Sequence, residues 1–374
     1  MPHIYLDDQG MRIVWTYLED LWTTESLDGR TLSPPRRLEL PVSTGWKEGG
    51  GPCFKDEQGR YVMQFGSDRS SDHEWATYLC WSRDFVNWSA PARVGQRISY
   101  LVQEEGRYLG VAFDRTSDDE AQPAAMTSRD LLQWERLGKT TGWRMNCSER
   151  SILRREDGTY EMYSVFRTKP FPARYGRPYT ISLVATFRQT SPDALAWSEP
   201  VELDRGLGWG RDSSSGLGSC RLFSIRANGR TVLMQIRQHE LPIQISIKFL
   251  RETADGSWQV SPWIDSLLPM NRPPVMADIA YHPQWGYVLA WCGDGSEDAV
   301  DLHVMRTGSL DSIFNSPPSP ASQDWQAREW SAQALQLQID GQKEAAQAAW
   351  QRVAREFPQT TWAKEAEKQL ATPK

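Results

Sequence analysis

The sequence predicts a mainly β chain, a six-bladed β-propeller over residues 1–316, followed by a Pro/Ser linker at 317–323 and a short α-helical tail at 324–374. Three observations carry this reading. A turn ending in glycine precedes an apolar run six times. Each of those turns is answered later by a Ser/Thr-x-Asp triplet. The chain also holds 18 tryptophans in 374 residues, which suits repeated short strands where an indole covers a hairpin.

The glycine turns are DDQG at Gly10, DEQG at Gly59, EEG at Gly106, EDG at Gly158, ANG at Gly229 and PQWG at Gly286. An acid or amide followed by Gly between β-rich runs marks a tight hairpin, because glycine accepts φ > 0. The triplets are Ser26-Leu-Asp28, Ser82-Arg-Asp84, Ser128-Arg-Asp130, Ser191-Pro-Asp193, Thr253-Ala-Asp255 and Ser309-Leu-Asp311. They follow their hairpins by 16, 23, 22, 33, 24 and 23 residues, and Trp88, Trp134, Trp197 and Trp258 stand just after four of them. A repeat of this kind predicts a four-stranded blade: strands one and two joined by the glycine hairpin, three and four by the Ser-x-Asp turn. One blade cannot bury both faces, whereas blades stacked around an axis can. The expected blades are 1–45, 46–95, 96–140, 141–205, 206–268 and 269–316.

The run Ser316-Pro-Pro-Ser-Pro320 ends the β region, and alanine and apolar residues then recur at helical spacing. Gly341 and Phe357-Pro358 divide the tail into helices, with a third expected over Thr361–Leu370. The Gly341-x-x-x-x-Ala346 and Phe357-Pro358 features resemble a tetratricopeptide hairpin. About a repeat and a half is present, so the tail is expected to dock on the propeller or on a protein partner.

Composition excludes several classes. Net charge is −6 with no basic run, which disfavours a nucleic-acid backbone as partner. No apolar run is long enough for a membrane span. Five scattered cysteines and histidines without an i, i+4 partner give no metal spacing, and no phosphate-binding loop is present, so no metal or cofactor is expected. The N-terminus enters strand-like sequence without a signal segment. The expectation is a cytoplasmic protein, or a periplasmic or secreted one if an upstream signal lies outside this sequence.

The strand order puts the glycine hairpins and Ser-x-Asp turns on one rim and the two–three loops on the other, around the mouth of the axial channel. Ligands belong at that mouth, where loops such as GSDRSSDHEW, DRTSDDEAQP and RTKPFPARYGRPYT gather acidic and arginine side chains. The Ser-x-Asp aspartates are structural.

Six blades, Ser-x-Asp turns with tryptophan, and the segment from Asn146 and Glu149 to Gly158 together resemble the sialidase family, whose repeated turn is the Asp-box or BNR repeat. The resemblance implies a glycoside hydrolase acting on an anionic glycan. It implies a glutamate at Glu149 beside a tyrosine nucleophile, for which Tyr281 is the nearest candidate, and an acid near Asp20, with Asp72 and Asp278 as further carboxylates. It also implies substrate-binding roles for Asn146, Arg167, Arg221 and Arg237, since a guanidinium clamps a carboxylate bidentately. The family's first arginine falls on Pro2-His3-Ile4 here. The alternative is therefore a non-catalytic propeller that binds a glycan or protein. A further resemblance, of WSRDFVNWS and TSRDLLQWERLG, is to five-bladed arabinanase- and fructosidase-type enzymes. Their three inner-strand carboxylates are not matched at Cys53, Asn146, Cys220 and Met276.

Overall fold

The fold is seen in a computed structural model of the chain, which describes residues 2–17, 20–40, 47–49, 54–67, 76–94, 98–114, 122–142, 147–167, 180–210, 220–240, 243–262, 264, 276–293, 301–316 and 320–371. Blade one holds β1 (His3–Asp7), β2 (Gly10–Tyr17), β3 (Asp20–Ser26) and β4 (Arg36–Arg37). In blade two, β5 (Lys47–Gly49) and β6 (Phe54–Lys55) both pair with β7 (Tyr61–Ser67), followed by β8 (Ala76–Ser82) and β9 (Ala92–Val94). Blade three is β10 (Ile98–Glu104), β11 (Arg107–Asp114), β12 (Gln122–Ser128) and β13 (Glu135–Lys139). Blade four is β14 (Cys147–Arg154), β15 (Tyr160–Arg167), β16 (Thr180–Ser191) and β17 (Val201–Gly210). Blade five is β18 (Cys220–Ala227), β19 (Arg230–Glu240), β20 (Ile243–Glu252) and β21 (Trp258–Val260). Blade six has β22 (Met276–His282), β23 (Gly286–Gly293) and β24 (Asp301–Thr307). All pairings are antiparallel between sequence neighbours, apart from the split inner strand of blade two.

The six-bladed propeller and its helical region are as the sequence predicts, with one correction. Among the described residues blade six has three strands, and after its Ser309-x-Asp311 turn the chain forms the short helix α1 (Asp311–Asn315). The residues Ser312-Ile-Phe-Asn-Ser316 run straight into Pro317-Pro318, leaving no β-rich stretch to pair with β24.

Four of the Ser-x-Asp turns share one geometry. Ser26 Oγ donates to Asp28 Oδ1 at 2.9 Å, Ser82 to Asp84 at 3.0 Å, Ser128 to Asp130 at 3.1 Å and Ser191 to Asp193 at 3.0 Å. The same aspartate oxygen accepts two backbone N–H groups further on, such as those of Val86 and Asn87 at 2.9 and 2.8 Å in blade two. Bonds from the Thr31 and Arg30 amides hold the Asp28 carboxyl well below the usual carboxylate range, and those from Asn87 and Val86 do the same for Asp84. The residue after the aspartate is left-handed in five of the turns: Gly29 (φ 66°), Phe85 (62°), Leu131 (67°), Ala194 (62°) and Gly256 (81°). For a non-glycine residue this costs about 1–2 kcal/mol. Phe85 and Leu131 offset it by complete burial between blades.

The core is divided among the seams between blades. Five of the six seams receive one aromatic side chain from the following blade's Ser-x-Asp turn, three or four residues after the aspartate: Trp88, Trp134, Trp197, Trp258 and Phe314. On the hairpin rim, tyrosines two residues after a hairpin glycine reach an acid of the preceding blade. The Tyr61 hydroxyl donates to Asp7 at 2.9 Å, and that of Tyr160 donates to Glu104. Between blades four and five the fully buried Glu161 accepts from Arg155 at 2.8 Å, Arg188 Nε at 2.9 Å and Tyr163 at 2.8 Å. A buried carboxylate needs such a surround. Burial raises the Glu161 carboxyl, but these partners outweigh it and leave it below its ordinary value.

The tail forms α2 (Pro320–Ile339), α3 (Lys343–Glu356) and α4 (Thr361–Ala371). The first of these begins within the stretch expected to be linker, with proline at the position whose missing N–H a helix tolerates. Ala334, Trp350, Val353 and Ala366 form its own small core, and α2 also packs against β17 of blade four. No helix among the described residues is long and apolar enough to cross a membrane. Cys80 and Cys292 are buried cysteines outside any disulfide.

Candidate functional site

The first strands of the blades lie innermost: β1 touches β22, β22 touches β18, β18 touches β14, and β14 touches β10. Each starts at the mouth and descends to its glycine hairpin. The mouth therefore collects the first residues of these strands and the last residues of the second strands that pair with them. Glu149 is the third residue of β14, set opposite Val165 of β15 just below a bulge, and Arg167 ends β15. Arg221 is the second residue of β18, opposite Ile236, and Arg237 of β19 lies opposite Cys220. These four stand at one rim on two adjacent blades. Asn146, Asp72, His73 and most of the two–three loops lie outside the described residues.

Asp278 is the third residue of β22 and so occupies the level of Glu149, with one blade between them. Its Oδ2 accepts the Ile4 N–H of β1 at 2.8 Å, and its Oδ1 accepts the Ile279 N–H at 2.8 Å. The Ile4 amide belongs to an innermost strand, where N–H groups on the channel side have no neighbouring strand. A carboxyl from the last blade supplies the acceptor. Burial pushes the Asp278 carboxyl up to about 7, against the pull of these two amides. No counter-cation is paired with it among the described residues. A carboxyl in this state holds a proton near neutral pH and can donate it.

Two sequence-predicted residues do not join this group. Tyr281 lies five residues below Met276 on β22, about 16 Å along an extended strand. Its hydroxyl donates to Asn228 Oδ1 at 2.8 Å in the neighbouring β18–β19 hairpin, and its ring sits 5.0 Å from that of Tyr287. This is the hairpin rim, opposite the mouth. Asp20 is at the mouth level of β3, but its Oδ2 pairs with Arg37 of the outer strand β4 at 2.9 Å. It points away from the axis. What sequence reasoning missed is the backbone donor at Ile4. The signal for it was available, since an innermost strand must present unpaired amides to the channel.

Among the described residues, no cluster of three or more His, Cys, Asp or Glu side chains could hold a metal ion.

No known family profile matches the chain, and no curated protein matches it. Solved structures do. A mutant of the α-L-arabinofuranosidase Arb93a from Fusarium graminearum, in complex with an iminosugar inhibitor, superposes over 84% of this chain and 94% of its own, with a TM-score of 0.54 at 12% identity. A mutant of the NanB sialidase from Streptococcus pneumoniae aligns over 81% of this chain and 66% of its own, with a TM-score of 0.46 at 11% identity. An endo-arabinase from Bacteroides thetaiotaomicron aligns over 68% and 92%, with a TM-score of 0.44 at 11% identity. At these identities the likeness is one of fold alone.

Proposed function

We propose that the mouth of this propeller binds an anionic glycan and hydrolyses one of its glycosidic bonds, in a sialidase-like scaffold that uses a carboxyl pair. The observation that carries the reading is the rim-level alignment of Glu149 and Asp278 on innermost strands, with Arg167, Arg221 and Arg237 beside them on blades four and five. Asp278, with its carboxyl raised to about 7, gives its proton to the leaving oxygen as the bond to the anomeric carbon breaks. Glu149 takes a proton from the water that forms the new bond. Glu149 and Asp278 stand on strands with a whole blade between them, a separation that suits an interposed water better than direct attack by a side chain. The arginines hold the substrate's anionic group.

The position of Tyr281 on the opposite rim and the Asp20–Arg37 pair favour a second reading, a glycan-binding propeller without turnover. One experiment separates them. The purified protein is screened against aryl-glycosides that include a sialic acid conjugate, beside Arg167→Ala, Glu149→Gln and Asp278→Asn. Hydrolysis that falls at least about 100-fold in kcat in the two carboxyl variants supports the enzyme. Glycan binding with no turnover in the parent protein supports the binding module.

A further inference from the structure

The seam between blades six and one differs from the other five, and the difference leaves a site on the hairpin rim, remote from the mouth. At five seams the position after the Ser-x-Asp turn carries Trp88, Trp134, Trp197, Trp258 or Phe314. At the closing seam the same position, four residues after Asp28, is Leu32. The left-handed position that buries Phe85 or Leu131 elsewhere is Gly29 here, and a Cβ on it would stand 2.7 Å from the Trp285 ring. Trp285 therefore fills the Gly29 side of the gap. The space beside Leu32 stays open as a cavity of about 390 Å³.

Its lining is specific. Leu32, Val304 and Met11 form apolar walls, and Arg30 and Arg306 bring two guanidinium groups to it. Arg306 Nε donates to the Trp285 carbonyl at 2.8 Å, which fixes the guanidinium plane against β24. No carboxylate lines the cavity, and none pairs with Arg30 or Arg306 among the described residues. Two cations over an apolar slot that elsewhere holds an aromatic ring fit a flat hydrophobic body with one negative charge.

We infer that this seam cavity binds a planar organic carboxylate, the ring beside Leu32 and Val304 and the carboxylate on Arg30 and Arg306. The site is independent of the glycan reading of the mouth.

The probe is indole-3-acetate, titrated calorimetrically into the full chain, with 3-methylindole as the neutral control. Saturable binding is expected for the acid, at least about tenfold weaker for the neutral ring and for Arg30→Gln, as loss of a charge-assisted pair implies. Leu32→Trp is expected to abolish binding by filling the slot. Arg30→Gln leaves every seam contact named here in place, so it remains informative if Leu32→Trp fails to fold. Absence of saturable binding to the parent protein would overturn the assignment, and so would affinity unchanged in both variants.

Discussion

The seam between blades one and two and the seam between blades six and one are built from the same parts, yet they are filled differently. At the first, Phe85 and Trp88 pack edge to face at 5.2 Å, and Tyr5 and Tyr61 close round them at 6.0 and 5.1 Å from Phe85. The Tyr61 hydroxyl and Lys55 Nζ both reach Asp7, the latter at 2.6 Å. At the second, Gly29 and Leu32 replace the two aromatics, and a single carboxyl, Asp278, ties β22 to β1 through Ile4. Among the described residues no N-terminal strand joins the sheet of blade six, and β1 meets β22 through side-chain packing and the Ile4–Asp278 hydrogen bond. The comparison teaches that a repeat can keep its turn geometry while changing what it puts into the seam. A ligand site can arise where the plug is left out.

The largest contrast is expected from truncation. Phe85→Ala should destabilise by about 3–5 kcal/mol, because a fully buried ring is lost while the left-handed backbone remains. Leu32→Ala should cost only about 1 kcal/mol, since its side chain already borders open space. Urea unfolding of the two variants reads the difference, and equal losses would break the comparison.

Next in size is a pH effect confined to the closing seam. Asp278 has a folded pKa of about 7 against an ordinary 3.8, so between those values the folded chain binds more protons than the unfolded one. Its contribution is therefore favourable at low pH and is lost as pH rises from about 4 to about 7. Asp278→Asn should flatten that part of the stability profile and leave the protein at least as stable at pH 8, while hydrolysis is lost. Loss of stability at pH 8 together with activity would reduce Asp278 to a structural staple.

Tyr61→Phe should cost about 1–2 kcal/mol, because Asp7 loses a donor in a partly buried site. The smallest effect is expected at Ala194, the left-handed residue of the blade-four turn. Ala194→Gly should be neutral or stabilising by up to about 1 kcal/mol, the reverse of the usual sense, as backbone relief outweighs one buried methyl. Thermal melts resolve both.

Much of the ring was legible in the sequence because its corners are local. A glycine hairpin and a Ser-x-Asp turn each need only a few adjacent residues, and Gly10, Gly59, Asp28 and Asp84 announce them directly. What was not legible depends on partners distant in sequence. Nothing near Phe85 or Leu131 signals a left-handed backbone, because the burial that offsets it comes from the preceding blade. The helix that replaces a fourth strand in blade six follows from prolines beyond it. The site was legible only in outline. Strand order puts Glu149 and Asp278 at one level, and the same count of residues along β22 sends Tyr281 to the other rim. The Ile4 amide that holds Asp278 lies 274 residues away in the chain. The mouth loops differ in length from blade to blade and carry no repeat to read.

The most direct test of the unequal seams is a reciprocal exchange read by thermal unfolding. Trp88→Leu should lower Tm by several degrees, because it opens a filled seam, whereas Leu32→Trp should hold or raise it by filling the gap beside Val304. If the two substitutions lower Tm alike, the closing seam is as tightly packed as the rest and the account of an unplugged sixth seam is wrong.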